Sequence, residues 1–464
     1  MTTNSPLDRR LDKAPYAAIF ALTWPQALMM VFHFLIGFAD VWVAGRLGRE
    51  VQAAVGFMTQ AMFFFLVVAV AVANGSVAAV SQSAGAGLTR RVQRFAGLGI
   101  GLAMVLGAVM LLTGQALDRV FLRLLQLPPA IFPVAADLLH IFLLILPGYY
   151  LLTVSNALFR AGKDVITPLW GMMLVTTVNA LGDFGLGLGW WGLPRLGHVG
   201  LGWSTFGSIL CGTLFNMLML VRRGTLTRRS LPPWRWVRRA LPYLVAVAWP
   251  AGLMQIVWHS AYMVLFALVA SLPRESVAAM AGMSAGMRVE SFLFLPGFSF
   301  NFTASILIGH LLGQGRIEDA RRMGLRIMKL GVFAISVLTL LLWFVIEPIV
   351  AFIAPDPTAA PHAISYLAYN MAGTPPMLAA LILSGAFVGA GATLYQALIF
   401  GGAAWLVRLP LAYLLGHRLL GSAEGIWMAM LASILVQCAA MFWFYFKTPW
   451  WRFTLRKERC QRPR

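Results

Sequence analysis

Twelve stretches of mainly apolar residues follow one another along the chain, and each is long enough to cross a membrane as a helix. A helix needs about 20 residues to span a hydrocarbon core of about 30 Å. In lipid, only helices and closed barrels satisfy the backbone, and these stretches lack the short alternating pattern of barrel strands. We therefore predict an all-α, polytopic membrane protein with twelve transmembrane helices. The predicted spans are 16–44, 53–82, 95–115, 130–153, 165–189, 199–221, 241–270, 277–312, 325–347, 362–388, 395–416 and 424–446.

The composition excludes several other classes of protein. Of the 464 residues, 60% are hydrophobic and only 11% are charged, whereas about a quarter of the residues in a soluble protein are charged. A soluble enzyme, a disordered chain and a solvated repeat array are therefore excluded. The net charge is +20, but the basic residues lie in short runs between apolar stretches, so no nucleic-acid surface is predicted. Cys211, Cys438 and Cys460 are too far apart to indicate a metal site or a disulfide framework.

The distribution of Lys and Arg predicts the orientation, because cytoplasmic loops carry an excess of both residues. An even number of spans places both termini on the same side, and six hydrophilic segments of that side carry 27 of the basic residues, against seven on the other side. Both termini are therefore predicted to face the cytoplasm of a bacterial inner membrane. The six segments are the N-terminal head, 83–94, 160–164, 222–240, 313–329 and the C-terminal tail.

The two halves of the chain resemble each other at an offset of about 225–229 residues. Trp24-Pro25, near the start of the first span, recurs as Trp249-Pro250 in the seventh. Three further pairs of short motifs recur in the same order, which indicates an internal duplication. These pairs are Ser83–Gly87 with Leu311–Gly315, Phe159–Lys163 with Phe387–Gly391, and Gly200–Trp203 with Glu424–Trp427.

The duplication predicts the domain organisation. Each copy has an even number of spans, so the copies have parallel topology and are related by an axis along the membrane normal. We predict two pseudo-symmetric six-helix lobes that enclose a central cavity. The predicted parts are a cytoplasmic head at 1–15, lobes at 16–221 and 241–446, an inter-lobe loop at 222–240 and a basic tail at 447–464.

Several motifs resemble those of the multidrug and toxic compound extrusion (MATE) transporters. Pro25 is followed fifteen residues later by Asp40, and then by Ala44–Gly48 and Ala53–Gly56, as in the first-span signature of that family. Further motifs extend the resemblance over essentially the whole chain; they are Arg160–Pro168, Gly309–Ala320 and Gly391–Thr393. The resemblance implies a secondary active antiporter, not an enzyme, that exports hydrophobic or cationic organic compounds in exchange for protons or sodium. We expect a monomer without a cofactor, with small organic substrates and membrane lipids as its partners.

Asp40 and Asp183 are the best candidates for carboxylates inside the membrane. An ionisable group there costs about 2.5–3.5 kcal/mol and is a functional candidate by default. Helix rise places both acids and Thr205 at a similar depth in the outer half of the first lobe, and Asn179 shares a helix face with Asp183. Two close carboxylates cannot both be ionised at low cost in a low dielectric. The pair is therefore predicted to take up a proton or a small cation and release it again.

The resemblance to the DinF-like branch of the MATE family assigns these residues a role. That branch has an Asp in the first span, an Asn…Asp pair in the fifth and a Thr in the sixth as its coupling site. The corresponding residues are Asp40, Asn179, Asp183 and Thr205, of which the first three are candidates for holding sodium. The resemblance also implies that Pro25 lets the first helix bend. Simpler alternatives are an interfacial acid near Arg46 for Asp40, and a helix-end role for Asp183.

The second lobe lacks the acids of another branch of the family. NorM-like relatives carry a Glu in the seventh span and an Asp in the tenth. Here the seventh span reads Gln255–His259, and the tenth has no acid between Tyr369 and Phe387. Ion coupling is therefore predicted to reside in the first lobe.

Four other residues inside spans are candidates for lining the substrate cavity; they are His33, Trp258, His259 and Arg408. The two histidines could equally be hydrogen-bonded core residues. Arg408 has no evident acidic partner in the sequence, whereas Arg288 and Glu290 are interpreted as a structural ion pair.

Two other functions are weighed against the antiporter. A lipid-linked oligosaccharide flippase of the same superfamily would need a cavity rich in Arg and Lys, whereas the basic residues here lie mainly in loops. An integral-membrane enzyme would need a catalytic motif at a membrane face, and the sequence contains no HExxH, paired-His or nucleophile motif. The antiporter is the preferred interpretation.

Overall fold

The computed structural model describes residues 13–124, 127–273, 275–353 and 356–455, and within these ranges the chain is helical with no β-strand. Most of the predicted head at 1–15, part of the predicted tail at 447–464 and Cys460 lie outside the described residues. The long helices are α1 (Pro15–Leu47), α2 (Arg49–Gly85), α3 (Thr89–Leu124), α4 (Phe132–Ala161), α5 (Ile166–Gly182), α6 (His198–Arg222), α7 (Trp234–Ala270), α8 (Ser276–Gly313), α9 (Ile317–Phe344), α10 (Ala359–Ala390), α11 (Thr393–Leu419) and α12 (Ala423–Lys447).

Each predicted span coincides with one of these helices. In the described part of the chain, eleven helices are long and apolar enough to cross a membrane without any extension. The remaining one, α5, has 17 residues of α-helix and continues without a break as a π-helical turn, Asp183–Gly187. The turn brings α5 to the length of a span, so the prediction of an all-α polytopic membrane protein is confirmed.

The helices form two compact units, and the first consists of Trp24–Ala248. Its central helices α4, α5 and α6 pack through a buried apolar cluster of Ile145, Leu152, Val175 and Ile209. The early residues of α7 also belong to this unit. Tyr243 on α7 donates a hydrogen bond to Gln82 at 3.3 Å, and a methyl group at Gly75 would lie 3.0 Å from the Leu244 carbonyl oxygen.

The second unit contains the residues from Trp249 onward, together with the first part of α1 up to Thr23. The hydroxyl groups of Thr23 and Thr303 are 3.0 Å apart. Helices α8 and α10 pack closely, and Asn301 donates to the carbonyl oxygen of Leu381 at 2.6 Å. A methyl group at Gly385 would lie only 2.2 Å from the carbonyl oxygen of Asn301.

Each division between the units falls directly before a Trp-Pro pair. One division lies between Thr23 and Trp24, and the other lies between Ala248 and Trp249. The sequence division instead used the polar loop at 222–240 as the boundary. The hydrophilic loop marks where the chain leaves the membrane. The unit against which the chain packs, however, changes within helices α1 and α7.

A close glycine contact has the same geometry in the two units. A methyl group at Gly200 on α6 would lie 2.5 Å from the carbonyl oxygen of Leu186. A methyl group at Gly425 on α12 would lie 2.5 Å from the carbonyl oxygen of Leu415. Gly200 therefore corresponds to Gly425, so the sequence alignment of Gly200–Trp203 with Glu424–Trp427 is shifted by one residue.

Candidate cation-binding site in the first unit

Three helices of the first unit carry the predicted site residues. Asp40 lies near the end of α1, Asn179 lies in the last turn of α5, and Thr205 lies in the second turn of α6. Asp183 is the first residue of the π-helical turn that follows α5. Such turns carry one extra residue, change the direction of the side chains and are frequent at functional sites.

Apolar contacts and a glycine hold the three helices together. Met29 on α1 packs with Leu169 and Met172 on α5. Where α5 meets α6, a methyl group at Gly182 would lie 2.5 Å from the Cβ atom of Ser204. The absence of a side chain at Gly182 therefore lets α6 approach the beginning of the π-helical turn.

The structure brings the four predicted residues together. The amide nitrogen Nδ2 of Asn179 lies 3.4 Å from Asp40 Oδ1 and 3.4 Å from Thr205 Oγ1. The Thr205 hydroxyl itself donates to the Leu201 carbonyl at 3.0 Å, which leaves its oxygen free to accept from Asn179. Asn179 thus bridges α1 and α6, as the sequence spacing predicted for a site at one depth.

The carboxyl groups of Asp40 and Asp183 lie within hydrogen-bonding reach of each other. Asp183 is fully buried and Asp40 is half-buried. No Lys or Arg among the described residues pairs with either carboxyl group. The favourable arrangement for such a pair is a single shared proton, or a cation between the oxygens, because two bare charges at this distance repel strongly.

Two acceptor oxygens at the site have no hydrogen-bond donor in the described part of the chain. They are Oδ1 of Asn179 and Oδ2 of Asp183, and both are buried. Buried acceptors without donors are uncommon and point to a missing proton, water or ion. Carboxylate and amide oxygens are hard ligands, so the residues fit a proton or a small hard cation. The described residues contain no group of three His, Cys, Asp or Glu that could hold a metal ion.

Sequence reasoning missed Ser204. Its hydroxyl group donates to Asp183 Oδ1 and also lies 3.3 Å from the Asn179 carbonyl oxygen. The Ser204 hydroxyl thus donates a hydrogen bond directly to the buried acid. The signal in the sequence was its position beside Thr205 in a helix that faces Asp183, but a serine alone costs too little in a membrane to stand out.

Pro25 lies in α1 away from the carboxyl groups. The helix continues through it from Pro15 to Leu47, and the fifteen residues to Asp40 correspond to about 22 Å along the axis. Pro25 directly follows the point where α1 passes from one unit to the other. A proline removes one backbone hydrogen bond and weakens the helix locally.

The four residues predicted to line a substrate cavity are divided between the two units. His33 lies in the first unit, where its side chain is exposed on α1. Trp258, His259 and Arg408 lie in the second unit. The Arg408 guanidinium lies 5.0 Å from the centre of the Trp258 ring, while His259 is half-buried on α7.

Arg408 has an acidic neighbour that the sequence did not reveal. Glu290 on α8 is attracted electrostatically by Arg408, and its carboxylate accepts a hydrogen bond from Tyr366 at 2.6 Å. The side chain of Arg288 is exposed, whereas that of Glu290 is buried. The interpretation of Arg288 and Glu290 as an ion pair is therefore replaced by a cluster around Arg408.

Comparison with known proteins places the chain in a family. A family model described as MatE matches residues 25–184 and 250–414. The Probable multidrug resistance protein NorM of Thermotoga maritima is 25% identical over 454 residues, which cover 96% of this chain and 95% of that protein. The Multidrug resistance protein PmpM of Pseudomonas aeruginosa is 25% identical over 472 residues, with 98% and 96% covered.

Solved structures share the fold. An outward-facing multidrug resistance MATE family transporter of the MOP superfamily matches with a TM-score of 0.87 and 19% identity, over 98% of this chain and 100% of that chain. A mutant of the Vibrio cholerae MATE transporter VcmN matches with a TM-score of 0.85 and 20% identity, over 92% and 95%. The family match in both halves, with full-length relatives, shows that the chain belongs to the MATE family of membrane transporters.

Proposed function

We propose that the chain is a multidrug efflux antiporter that exports hydrophobic or cationic organic compounds in exchange for protons or sodium. The observation that carries this proposal is the contact between Asp40 and Asp183 without a basic partner among the described residues. A structural pair of buried charges would be expected to include a cation. An acid pair without one fits a site that binds and releases a positive ion.

Uptake of one ion would couple the site to the shape of α1. A proton or sodium ion at Asp40 and Asp183 removes the repulsion between the two carboxyl groups, so α1 can approach α5. We propose that this movement bends α1 near Pro25 and expels the substrate from the first unit. Each charge that crosses the membrane supplies about 2.3 kcal/mol per 100 mV, so one or two ions drive a modest substrate gradient.

The site residues support the assignment to a branch of the family, and the loop residues support the location and orientation. The set of Asp40, Asn179, Asp183 and Thr205 supports a place in the DinF-like branch, although the relatives compared above carry NorM and PmpM names. The excess of Lys and Arg in one set of loops supports a bacterial inner-membrane protein with both termini in the cytoplasm. We propose that it works as a monomer.

A transport assay with the purified protein tests the function. The protein is reconstituted in lipid vesicles loaded with ethidium, and a pH gradient or a sodium gradient is imposed in turn. We expect ethidium to leave the vesicles faster with at least one gradient than in protein-free vesicles, and an ionophore that collapses the gradient to abolish the difference. Ethidium movement that is the same with and without the protein under both gradients would contradict the proposal.

Ser204→Ala tests the contribution of the hydroxyl group that contacts Asp183. A hydrogen bond to a charged group contributes about 1.5–3 kcal/mol, so we expect its loss to slow ethidium efflux about tenfold. The matched control is Ser208→Ala, one turn further along α6, where the hydroxyl donates to the Thr205 carbonyl at 2.9 Å. The control should retain wild-type efflux, and equal losses in both variants would show that Ser204 has no special role.

A further inference from the structure

Arg408 is a buried cation surrounded by polar and aromatic side chains of the second unit. Its exposed fraction is 1%. The guanidinium lies over the rings of Trp258 and Tyr262, at 5.0 and 5.3 Å from their centres, and Nε donates to Ser433 Oγ at 3.0 Å. An Arg side chain stays protonated in proteins, so this position carries a permanent positive charge.

Tyr262 also hydrogen-bonds this cation, but one guanidinium nitrogen has no partner among the described residues. Nη1 of Arg408 is buried and has no hydrogen-bond partner in the described part of the chain. Glu290 attracts Arg408 electrostatically but is hydrogen-bonded to Tyr366 at 2.6 Å. A buried cation with an unused donor is costly, because the group has lost water without gaining an acceptor. Nη1 can therefore donate to one more acceptor.

The internal repeat relates this cluster to the acidic site of the first unit. The offset of 229 residues that aligns Leu186-Gly187 with Leu415-Gly416 also aligns Asn179 with Arg408. On the neighbouring helices, the offset of 225 that aligns Gly200 with Gly425 places Ser433 opposite Ser208. The two units thus present groups of opposite charge at corresponding positions: an acid pair next to Asn179, and a guanidinium at Arg408.

We propose that Arg408, with the aromatic rings of Trp258 and Tyr262, forms a binding site for the carboxylate group of aromatic organic substrates. A carboxylate is planar and matches the fork of guanidinium donors. The half-buried rings of Trp258 and Tyr262 offer apolar faces for the rest of such a molecule. A purely cationic compound would be repelled by Arg408, whereas a zwitterion would gain a contact. The inference rests on the proposed function, since it adds a class of substrate to the exporter.

A pair of fluorescent dyes that differ in one group tests the proposal. Rhodamine B carries a cationic ring system and a carboxylate, and its ethyl ester carries the same ring system without the negative charge. Dissociation constants for both dyes are measured by fluorescence anisotropy with the purified full-length protein in detergent. We expect Arg408→Gln to weaken the binding of rhodamine B about tenfold or more, and to change that of the ethyl ester less than twofold.

Two further variants keep the experiment decisive. Arg288→Gln removes a charge from an exposed position on α8 and should change the binding of neither dye. Arg408→Lys retains the charge without the planar fork and should weaken only rhodamine B, by a few-fold; it serves as the test if Arg408→Gln does not fold. Equal weakening of both dyes, or no change in either, would overturn the proposal.

The measurement separates this inference from the proposed function. Binding in detergent requires neither an ion gradient nor transport. If ethidium efflux is present but Arg408→Gln leaves the dye preference unchanged, the anion site is excluded and the exporter is retained. If the preference depends on Arg408 but no gradient drives efflux, the exporter is excluded and the binding site is retained.

Discussion

Asp183→Asn should abolish ion-coupled efflux while leaving the protein folded. The amide has the volume of the carboxyl group and still accepts a hydrogen bond from Ser204, but it neither binds nor releases a proton. It also carries no charge for sodium. We expect the rate of ethidium efflux under an imposed gradient to fall at least a hundredfold. Asp40→Asn should give the same result, because the two carboxyl groups lie within hydrogen-bonding reach of each other and we propose that they share one ion. Rates are compared at equal amounts of reconstituted protein.

Asp137→Asn is the matched control for these substitutions. Asp137 lies on α4, and its Oδ2 is 3.0 Å from Nε2 of His198; the side chain of Asp137 is 58% exposed. An exposed pair contributes little to stability, so this variant should retain efflux within twofold of wild type. If Asp40→Asn or Asp183→Asn also retained wild-type efflux, the acid pair would have no part in coupling.

The membrane-spanning helices were accessible to sequence reasoning because lipid imposes a simple rule. Every span must be apolar, about 20 residues long and helical. The rule does not determine how a span ends. Gly185, Gly187 and Gly189 after Asp183 indicated the end of α5. They did not indicate the π-helical turn Asp183–Gly187, nor its close approach to α6, where a methyl group at Gly200 would lie 2.5 Å from the Leu186 carbonyl oxygen. Such a contact between helices leaves no periodic signal in either one.

The acids of the candidate site could be found because charge is rare and costly inside a membrane. Asp40 and Asp183 therefore stood out, helix geometry placed Asn179 and Thr205 near them, and the family resemblance supplied the role of all four. Ser204 did not stand out, because a hydroxyl group is tolerated almost anywhere in a helix. The proximity of Glu290 to Arg408 could not be derived either, since the sequence does not tell which faces of α8 and α11 meet.

The division into units shows a further limit of sequence reasoning. Hydrophilic loops indicate where the chain leaves the membrane, and the loop at 222–240 is the longest of them. Packing instead assigns the first residues of α7 to the first unit, through contacts such as that of Tyr243 with Gln82. A Trp-Pro pair stands at each division. The sequence alone does not show that the packing changes there, because that requires the contacts on either side.

Gly200→Ala is expected to disturb the contact between α6 and the π-helical turn of the first unit. The new methyl group would lie 2.5 Å from the carbonyl oxygen of Leu186, 2.6 Å from its carbonyl carbon and 2.9 Å from the nitrogen of Gly187. All three are backbone atoms, so α6 must move away from the π-helical turn. Overpacking of this kind costs about 1–3 kcal/mol, and the movement separates Ser204 from Asp183. We expect a Tm several degrees lower in detergent and ethidium efflux reduced at least tenfold.

Gly207→Ala makes the same chemical change on the same helix, where nothing lies within 4 Å of the new methyl group. Alanine favours a helix over glycine by about 0.5–1 kcal/mol, so this variant should have an unchanged or slightly higher Tm and normal efflux. Tryptophan fluorescence during heating and efflux from vesicles measure both properties on the same preparations. A Gly200→Ala protein as stable and active as Gly207→Ala would mean that α6 is free to shift at this contact, and that the close approach of α6 to the turn does not hold the acid in place.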